Sequence, residues 1–235
     1  MSLFRNVVLA AALSGLVAGL AMTGIQAMTT VPLILEAETY ETAASDHAHG
    51  GDANAHAATE PAESEEGWAP ADGFERTAYT ALANIVTAIG FALVLIVAAE
   101  LAGGISGWRQ GLFWGLAGFA VFTLAPSIGL PPELPGMPAG PLGARQVWWI
   151  ATAAATAGGL ALLVFKRSAG MAVLGVALIV LPHLVGAPKP DSFETAVPGA
   201  LHHDFIAAVV VSSFVFWVLI GGVAGYMRSR AAGVA

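Results

Sequence analysis

This sequence predicts an all-α integral membrane protein, a bundle of about six transmembrane helices, and three features make that prediction. Hydrophobic residues fill 57% of its 235 positions and charged residues only 11%, against about 25% charged in soluble domains. The mean hydropathy is +0.74. The apolar residues gather into six runs, and the nine Lys and Arg and sixteen Asp and Glu fall between or at the edges of those runs. A span needs about 20 mostly apolar residues, because a rise of about 1.5 Å per residue must cover roughly 30 Å of hydrocarbon. The whole chain, 1–235, therefore reads as a single transmembrane domain.

The runs are Val7 to Leu35, Ala78 to Leu101, Gly111 to Leu130, Val147 to Phe165, Gly170 to Val185 and Phe205 to Met227. The first exceeds the apolar core of a secretory signal, and Ile25-Gln26-Ala27 is a poor small-x-small cleavage site, so it reads as a span. Before the second, Asp72-Gly73-Phe74-Glu75 fits a helix start in which Asp72 caps and Glu75 reaches back. Trp148 and Trp149 at the start of the fourth, with Trp68 and Tyr79 near the second, read as interfacial anchors. The fifth is short and broken by Pro182. Were it only re-entrant, the sixth would carry Arg228 and Arg230 to the wrong side for the charge rule, so six spans are expected. Glycines four apart, at Gly15 and Gly19, Gly111 and Gly115, and Gly221 and Gly225, are expected to be helix contacts. Gly103 to Gln110 and Lys166 to Ala169 are tight turns, and the helices they join are expected to be antiparallel neighbours.

Threading the runs from a cytoplasmic Met1 puts Arg5, Arg109, Lys166, Arg167, Arg228 and Arg230 inside, and Arg76, Arg145 and Lys189 outside. That asymmetry obeys the positive-inside rule. Glu100 is then the only acidic residue inside, and the other acids and all six histidines lie on or near the outer side. The outer face is built to meet cations, and both termini are expected in the cytoplasm.

The one sizeable polar segment, 36–76, forms an extracytoplasmic loop, and its centre, 45–67, lacks apolar periodicity and is expected to be disordered. It holds the strongest ligand cluster, Asp46-His47-Ala48-His49 with Asp52 and His56. Imidazole and carboxylate together suit borderline cations such as cobalt, nickel and zinc. The plainer alternative is an acidic linker with incidental histidines. Glu36, Glu38 and Glu41 follow the first span, where a helix C-terminus disfavours carboxylates unless a cation compensates. His183, beside Pro182, is an ionisable group at membrane depth, a setting that usually marks function. Glu133 is a further candidate ligand or the ion-pair partner of Arg145, the simpler option. It lies in Pro131-Pro132-Glu133-Leu134-Pro135-Gly136-Met137-Pro138, where four prolines forbid a helix and predict a rigid cap. His202 and His203 are expected to be exposed, and Asp204 to sit at a helix N-terminus.

Several classes are excluded. With no cysteine, there is no disulfide, thiolate metal site or Cys nucleophile. A net charge of −7 argues against nucleic acid as a partner. Only two lysines, Lys166 and Lys189, occur and neither follows a Gly-x4-Gly pattern, so the chain carries no P-loop. Gly-x-Ser-x-Gly and His-Glu-x-x-His are missing too.

The order of several blocks carries a resemblance. They are Thr30-Val-Pro-Leu-Ile-Leu-Glu-Ala-Glu38 with Tyr40-Glu41, Glu75-Arg-Thr-Ala-Tyr79 with Leu82-Ala-Asn84, and Leu124-Ala-Pro126. Then come Gly129 through Pro138, Gly143-Ala-Arg-Gln-Val-Trp-Trp149 and Leu181-Pro-His-Leu-Val-Gly-Ala-Pro188. Across nearly its whole length the chain resembles the CbtA family, cobalt transporter subunits of bacteria. The resemblance implies a multispanning inner-membrane protein in cobalt uptake linked to cobalamin synthesis, working beside CbtB, a small partner with one span and a His-bearing tail. It also implies five spans, where the charge pattern asks for six.

The expected function is import of cobalt(II), with no permanently bound cofactor, by a protein of the lipid bilayer that is not an enzyme. The expected metal-contacting residues are His47, His49, His56, Glu36, Glu38, Glu133 and His183. Two alternatives stay open, a metal-capturing accessory subunit that conducts nothing alone and a membrane enzyme of unknown substrate.

Overall fold

The structure is a computed structural model and describes residues 2–49, 70–71 and 73–232, all helix and connection with no strand among them. The helices are α1 (Ser2–Met28), α2 (Thr30–His49), α3 (Phe74–Leu101) and α4 (Trp108–Phe119). A π turn (Ala120–Leu124) joins α4 to α5 (Ala125–Gly129), and α6 (Leu142–Phe165), α7 (Ala169–Val185) and α8 (Gly199–Ala232) follow. Five helical stretches are long and apolar enough to cross a membrane, and α7 is a shorter apolar helix.

Pairwise contacts settle the number of crossings. Gly15 of α1 lies against Ile89 of α3 and Gly19 against Ile85, so α1 and α3 run antiparallel. Along α3 and α8, Phe91 meets Phe216 and Glu100 meets Arg228, so these two helices run the same way. Parallel α3 and α8 require an odd number of passes between them, and with α4–α5 and α6 each long enough to cross, α7 supplies the third. Accordingly, α7 runs back along α6, with Gly175 on Gly159 and His183 on Trp148. Its 17 residues reach about 25 Å at 1.5 Å per residue. The bundle therefore has six helical passes, five of them long and apolar enough to cross a membrane and the sixth, α7, shorter. The start of α1, the end of α8 and the turns after α3 and α6 share one face, the terminal face. The opposite loop face carries α2, the proline-rich connection and the segment after α7.

The core is a four-helix group of α1, α3, α4 and α8, and α6 with α7 form a hairpin at its side. The glycine pairs are packing sites as expected. At Gly221 an added Cβ would come within 2.8 Å of Gly115 Cα. Such contacts draw α4 onto α8, so α4 is not the close neighbour of α3 that the tight turn suggested. Small residues win because lipid offers no hydrophobic drive between helices, and close backbone approach has to supply the attraction.

Three further expectations change, and a fourth falls partly outside the described residues. The first apolar run is two helices, broken at Thr29 just ahead of Pro32, which has no N–H to continue the ladder. The polar segment begins as helix α2 through His49, so residues 45–49 are helical, and the rest of 45–67 lies outside the described residues. Leu33, Ile34, Ala37 and Tyr40 of α2 pack with Leu134 of the proline-rich connection and with Leu201 and Phe205 of α8. Asp72 also lies outside the described residues; Gly73 stands at the N-cap, and Glu75 reaches back to the Ala71 amide at 3.2 Å. Trp148 is buried, its indole donating to the Pro182 carbonyl at 3.2 Å, so it is a packing residue and not an interfacial anchor.

Because the chain has no cysteine, crossing number can be read directly. A membrane-impermeant maleimide is expected to label Ser168→Cys and Ser192→Cys from opposite sides of the membrane, whereas a re-entrant α7 gives labelling from the same side. Gly221→Val is expected to cost about 3 kcal/mol by forced overpacking, read as a lower melting temperature in detergent. Gly24→Ala, with nothing within 4 Å of the new Cβ, is expected to leave that temperature unchanged.

Candidate functional site

On the loop face, α2 is held flat against the bundle by Ala37, which is fully buried. That fixes the carboxylates one residue either side of it. Glu36 is exposed, and Glu38 pairs with Arg76 at the start of α3 at 2.9 Å. The proline-rich connection is irregular, as four prolines demand, and presents Glu133 to Arg145 of α6 at 2.7 Å, the ion pair that was the simpler option. His183 follows Pro182 in the last turn of α7 and meets Trp148 edge-on at 5.9 Å between ring centroids. Its Nδ1 is buried without a hydrogen-bond partner. His202 is half-buried and bonds the Pro132 carbonyl at 2.9 Å, tighter than the exposed setting expected, while His203 is exposed.

The described candidates thus fall in two places. Glu36 and Glu38 stand on α2 beside α3, and Glu133 and His183 stand around the first turns of α6. His47 and His49 lie on the last turn of α2, and His56 lies outside the described residues. Among the described residues no three His, Asp or Glu side chains come together as a metal cluster.

A second place lies within the bundle. A cavity of about 190 Å³ opens between α1, α3, the π turn and α8, with Met22, Asn84, Thr87, Thr123 and Ser213 among its lining. Aromatic rings form its walls, Phe122 stacking on Trp217 at 5.5 Å with Phe91 tilted against both. Asn84 lies about 15 Å along α3 from its loop-face end, at 1.5 Å per residue. Its amide donates to Thr23 Oγ1 at 3.1 Å and Gln26 Oε1 at 2.7 Å. The Trp217 indole donates to Thr123 Oγ1 at 3.2 Å.

The π turn has a local cause. Pro126 would drive its ring into the carbonyl of Phe122, four residues back, and has no N–H to offer it. Widening the turn relieves the clash, and the Ala125 amide bonds Ala120 five residues back. Sequence reasoning quoted Asn84 and Pro126 without giving either a role. A lone amide inside an apolar run, and a proline three residues after a threonine in another, were the available signals.

Toward the terminal face the bundle closes. Ile96, Ala99, Ile220 and Ala224 are fully buried in one cluster, and past them Arg228 meets Glu100 at 2.5 Å. The single acid of that face is therefore consumed by an ion pair that ties α3 to α8.

The profile of the family described as "Probable cobalt transporter subunit (CbtA)" matches residues 4–229. The chain belongs to the CbtA family. No curated protein and no solved structure matches it. Membership in CbtA, with the apolar helices, makes this a multi-pass membrane protein of a transporter-subunit family.

Arg228→Met strands the Glu100 carboxylate, and breaking a buried pair costs about 3–5 kcal/mol. The side chains keep 13% and 23% exposure, which moderates the loss to about 2 kcal/mol. Thermal unfolding in detergent is expected to show this loss, with Glu100→Gln added to Arg228→Met recovering part of it.

Proposed function

We propose that this protein imports Co2+ across the bacterial inner membrane in support of cobalamin synthesis, with both termini cytoplasmic and the loop face outside. The observation that carries the reading is the family match over residues 4–229. The charge pattern supports its direction, since every acid but Glu100 belongs to the loop face or its flanking segments and would raise the local concentration of a cation. Glu36, Glu38, Glu133 and His183 are the candidate ligands near the entry, in two separate places, and His47, His49 and His56 are the candidates for capturing the ion from outside. Glu38 and Glu133 are held by arginines, so a metal reaching them exchanges one cationic partner for another. Ligands of this kind suit cobalt, nickel and zinc alike, and cobalt is taken from the family. The protein works as a transporter subunit, not an enzyme, beside a small single-span CbtB-like membrane protein.

The dispersal of ligands among the described residues favours a second reading, an accessory subunit that hands captured metal to a partner channel. Uptake of radioactive Co2+ by cells lacking other cobalt importers separates the two. Uptake with this chain alone, resisting excess Ni2+ and Zn2+, supports a selective single-chain importer. Uptake only when the CbtB-like protein is added supports the accessory reading, and none in either case overturns import. Combined alanine substitution of Glu36, Glu38 and His183 is expected to raise the half-saturating Co2+ about tenfold, on the order of 1.4 kcal/mol of lost attraction. An unchanged uptake curve would remove these residues from the entry.

A further inference from the structure

We infer that the side opening of the aromatic cavity is the docking groove for one transmembrane helix of a partner subunit, which seats a side chain with an apolar ring and a polar tip among Phe91, Phe122 and Trp217. The inference rests on the proposed role as a transporter subunit beside a single-span protein, and adds where that span is held.

The cavity does not close over itself. Thr87 lines it and is exposed, about 20 Å along α3 from Phe74 at 1.5 Å per residue, near the middle of a membrane-length helix. Its polar groups therefore open toward lipid. Thr77 and Thr80, earlier on the same helix, return their hydroxyls to the carbonyls of Gly73 and Arg76. Among the described residues the hydroxyls of Thr87 and Ser213, both in the lining, make no hydrogen bond. An acyl chain has no acceptor to offer them, and polar side chains at membrane depth face protein. A lipid tail would fill the space and leave the hydroxyls unanswered, at the cost of unpaired polar groups in hydrocarbon. A helix can bring the acceptor.

The rest of the lining selects what that helix carries. Phe122 stacks on Trp217 with Phe91 tilted against both, and such rings favour the edge or offset face of another. Met22 adds a thioether, which also favours aromatic contact. A volume of about 190 Å³ equals about six waters at roughly 30 Å³ each, room for one large side chain and far short of a helix. Tyr and Trp join an apolar ring to a polar tip, so either one answers both parts of the lining.

The flank of α3 beside the opening can take the backbone of the incoming helix. Ala83, Thr87 and Gly90 are exposed at helical spacing, on the side opposite Ile85 and Ile89, which pack on α1. A Cβ on Gly90 would meet nothing within 4 Å. Small residues so placed let helices approach closely in lipid. On α4 the glycines of this kind are covered by α8, whereas on α3 they stand open. A second copy of the chain fits poorly, because a two-fold pair sets the same patch against itself and two facing grooves leave both cavities empty. The family is one of transporter subunits, which supplies a different partner.

Because the chain has no cysteine, Gly90→Cys can be crosslinked to single cysteines placed along the span of the CbtB-like protein, both chains full length in one membrane. Crosslinks are expected at partner positions three or four apart, one face of a helix, and none from Gly24→Cys on α1. Thr87→Phe fills the opening and is expected to keep the parent melting curve while weakening copurification of the partner at least about tenfold, the loss that follows removal of a buried anchor. Gly24→Phe adds similar bulk at another open glycine and is expected to leave copurification unchanged. Should Thr87→Phe melt early, the crosslinks alone decide. If Thr87→Phe binds the partner as tightly as the parent chain, or crosslinks form from Gly24→Cys and not from Gly90→Cys, the groove assignment is wrong. Gly90→Cys joining a second Gly90→Cys chain without the partner makes the occupant another copy and overturns the proposal too. A parent chain that copurifies with no such partner removes the single-span-partner reading itself, and the groove with it.

Discussion

Close backbone contact between α4 and α8 is the constraint from which the rest of the bundle follows. Gly111 and Gly115 meet Gly221 and Gly225 with no room for a Cβ on either side, and in lipid such contact replaces the hydrophobic drive of soluble cores. Once α4 is committed to α8, it cannot also close on α3. The space left over is bridged by the large rings of Phe91, Phe122 and Trp217, and rings of that size leave the cavity between them. A helix contact made of the smallest residues thus creates the need for the largest ones a turn or two away.

Much of this fold was legible because membrane physics is written in composition. Span positions follow from apolar length, and the sixth pass expected from where Arg228 and Arg230 fall agrees with the parallel run of α3 and α8, fixed by Phe91 against Phe216 together with Glu100 against Arg228. The Glu133–Arg145 pair was readable from charge and proximity. Helix α2 was missed because its acids dominated the reading, although Leu33, Ile34, Ala37 and Tyr40 recur at helical spacing and carry its contacts. Trp148 was misread because tryptophans near span ends usually sit at the interface, and nothing local announces that Gly129 lacks a Cβ so that this ring can fill its place. The cavity was illegible for a different reason. Its lining comes from α1, α3, the π turn and α8, and only the packing of those helices on one another brings the positions to one level.

The two faces of the bundle differ in how their charges are held. On the loop face Glu38 and Glu133 pair with arginines that retain partial exposure, so water and ions have access to both partners. On the terminal face Arg228 is the most enclosed of the three paired arginines, and the pair sits behind a cluster of buried apolar residues. The difference lies mainly in the arginines. Between the two faces Pro126 interrupts the regular ladder at the level of the cavity.

The position of α8 in the chain has a consequence for biogenesis. It packs on α1, α3 and α4, all of which are made and delivered to the bilayer before it. Until α8 arrives, the small faces of α4 have no partner and α3 keeps Glu100 without its arginine. The α6–α7 hairpin, by contrast, makes most of its contacts within itself and can pair as soon as Val185 has emerged. Before α8 the α1–α3 pair, α4 and the α6–α7 hairpin share few contacts, and insertion of the final helix joins α4 to the α1–α3 pair.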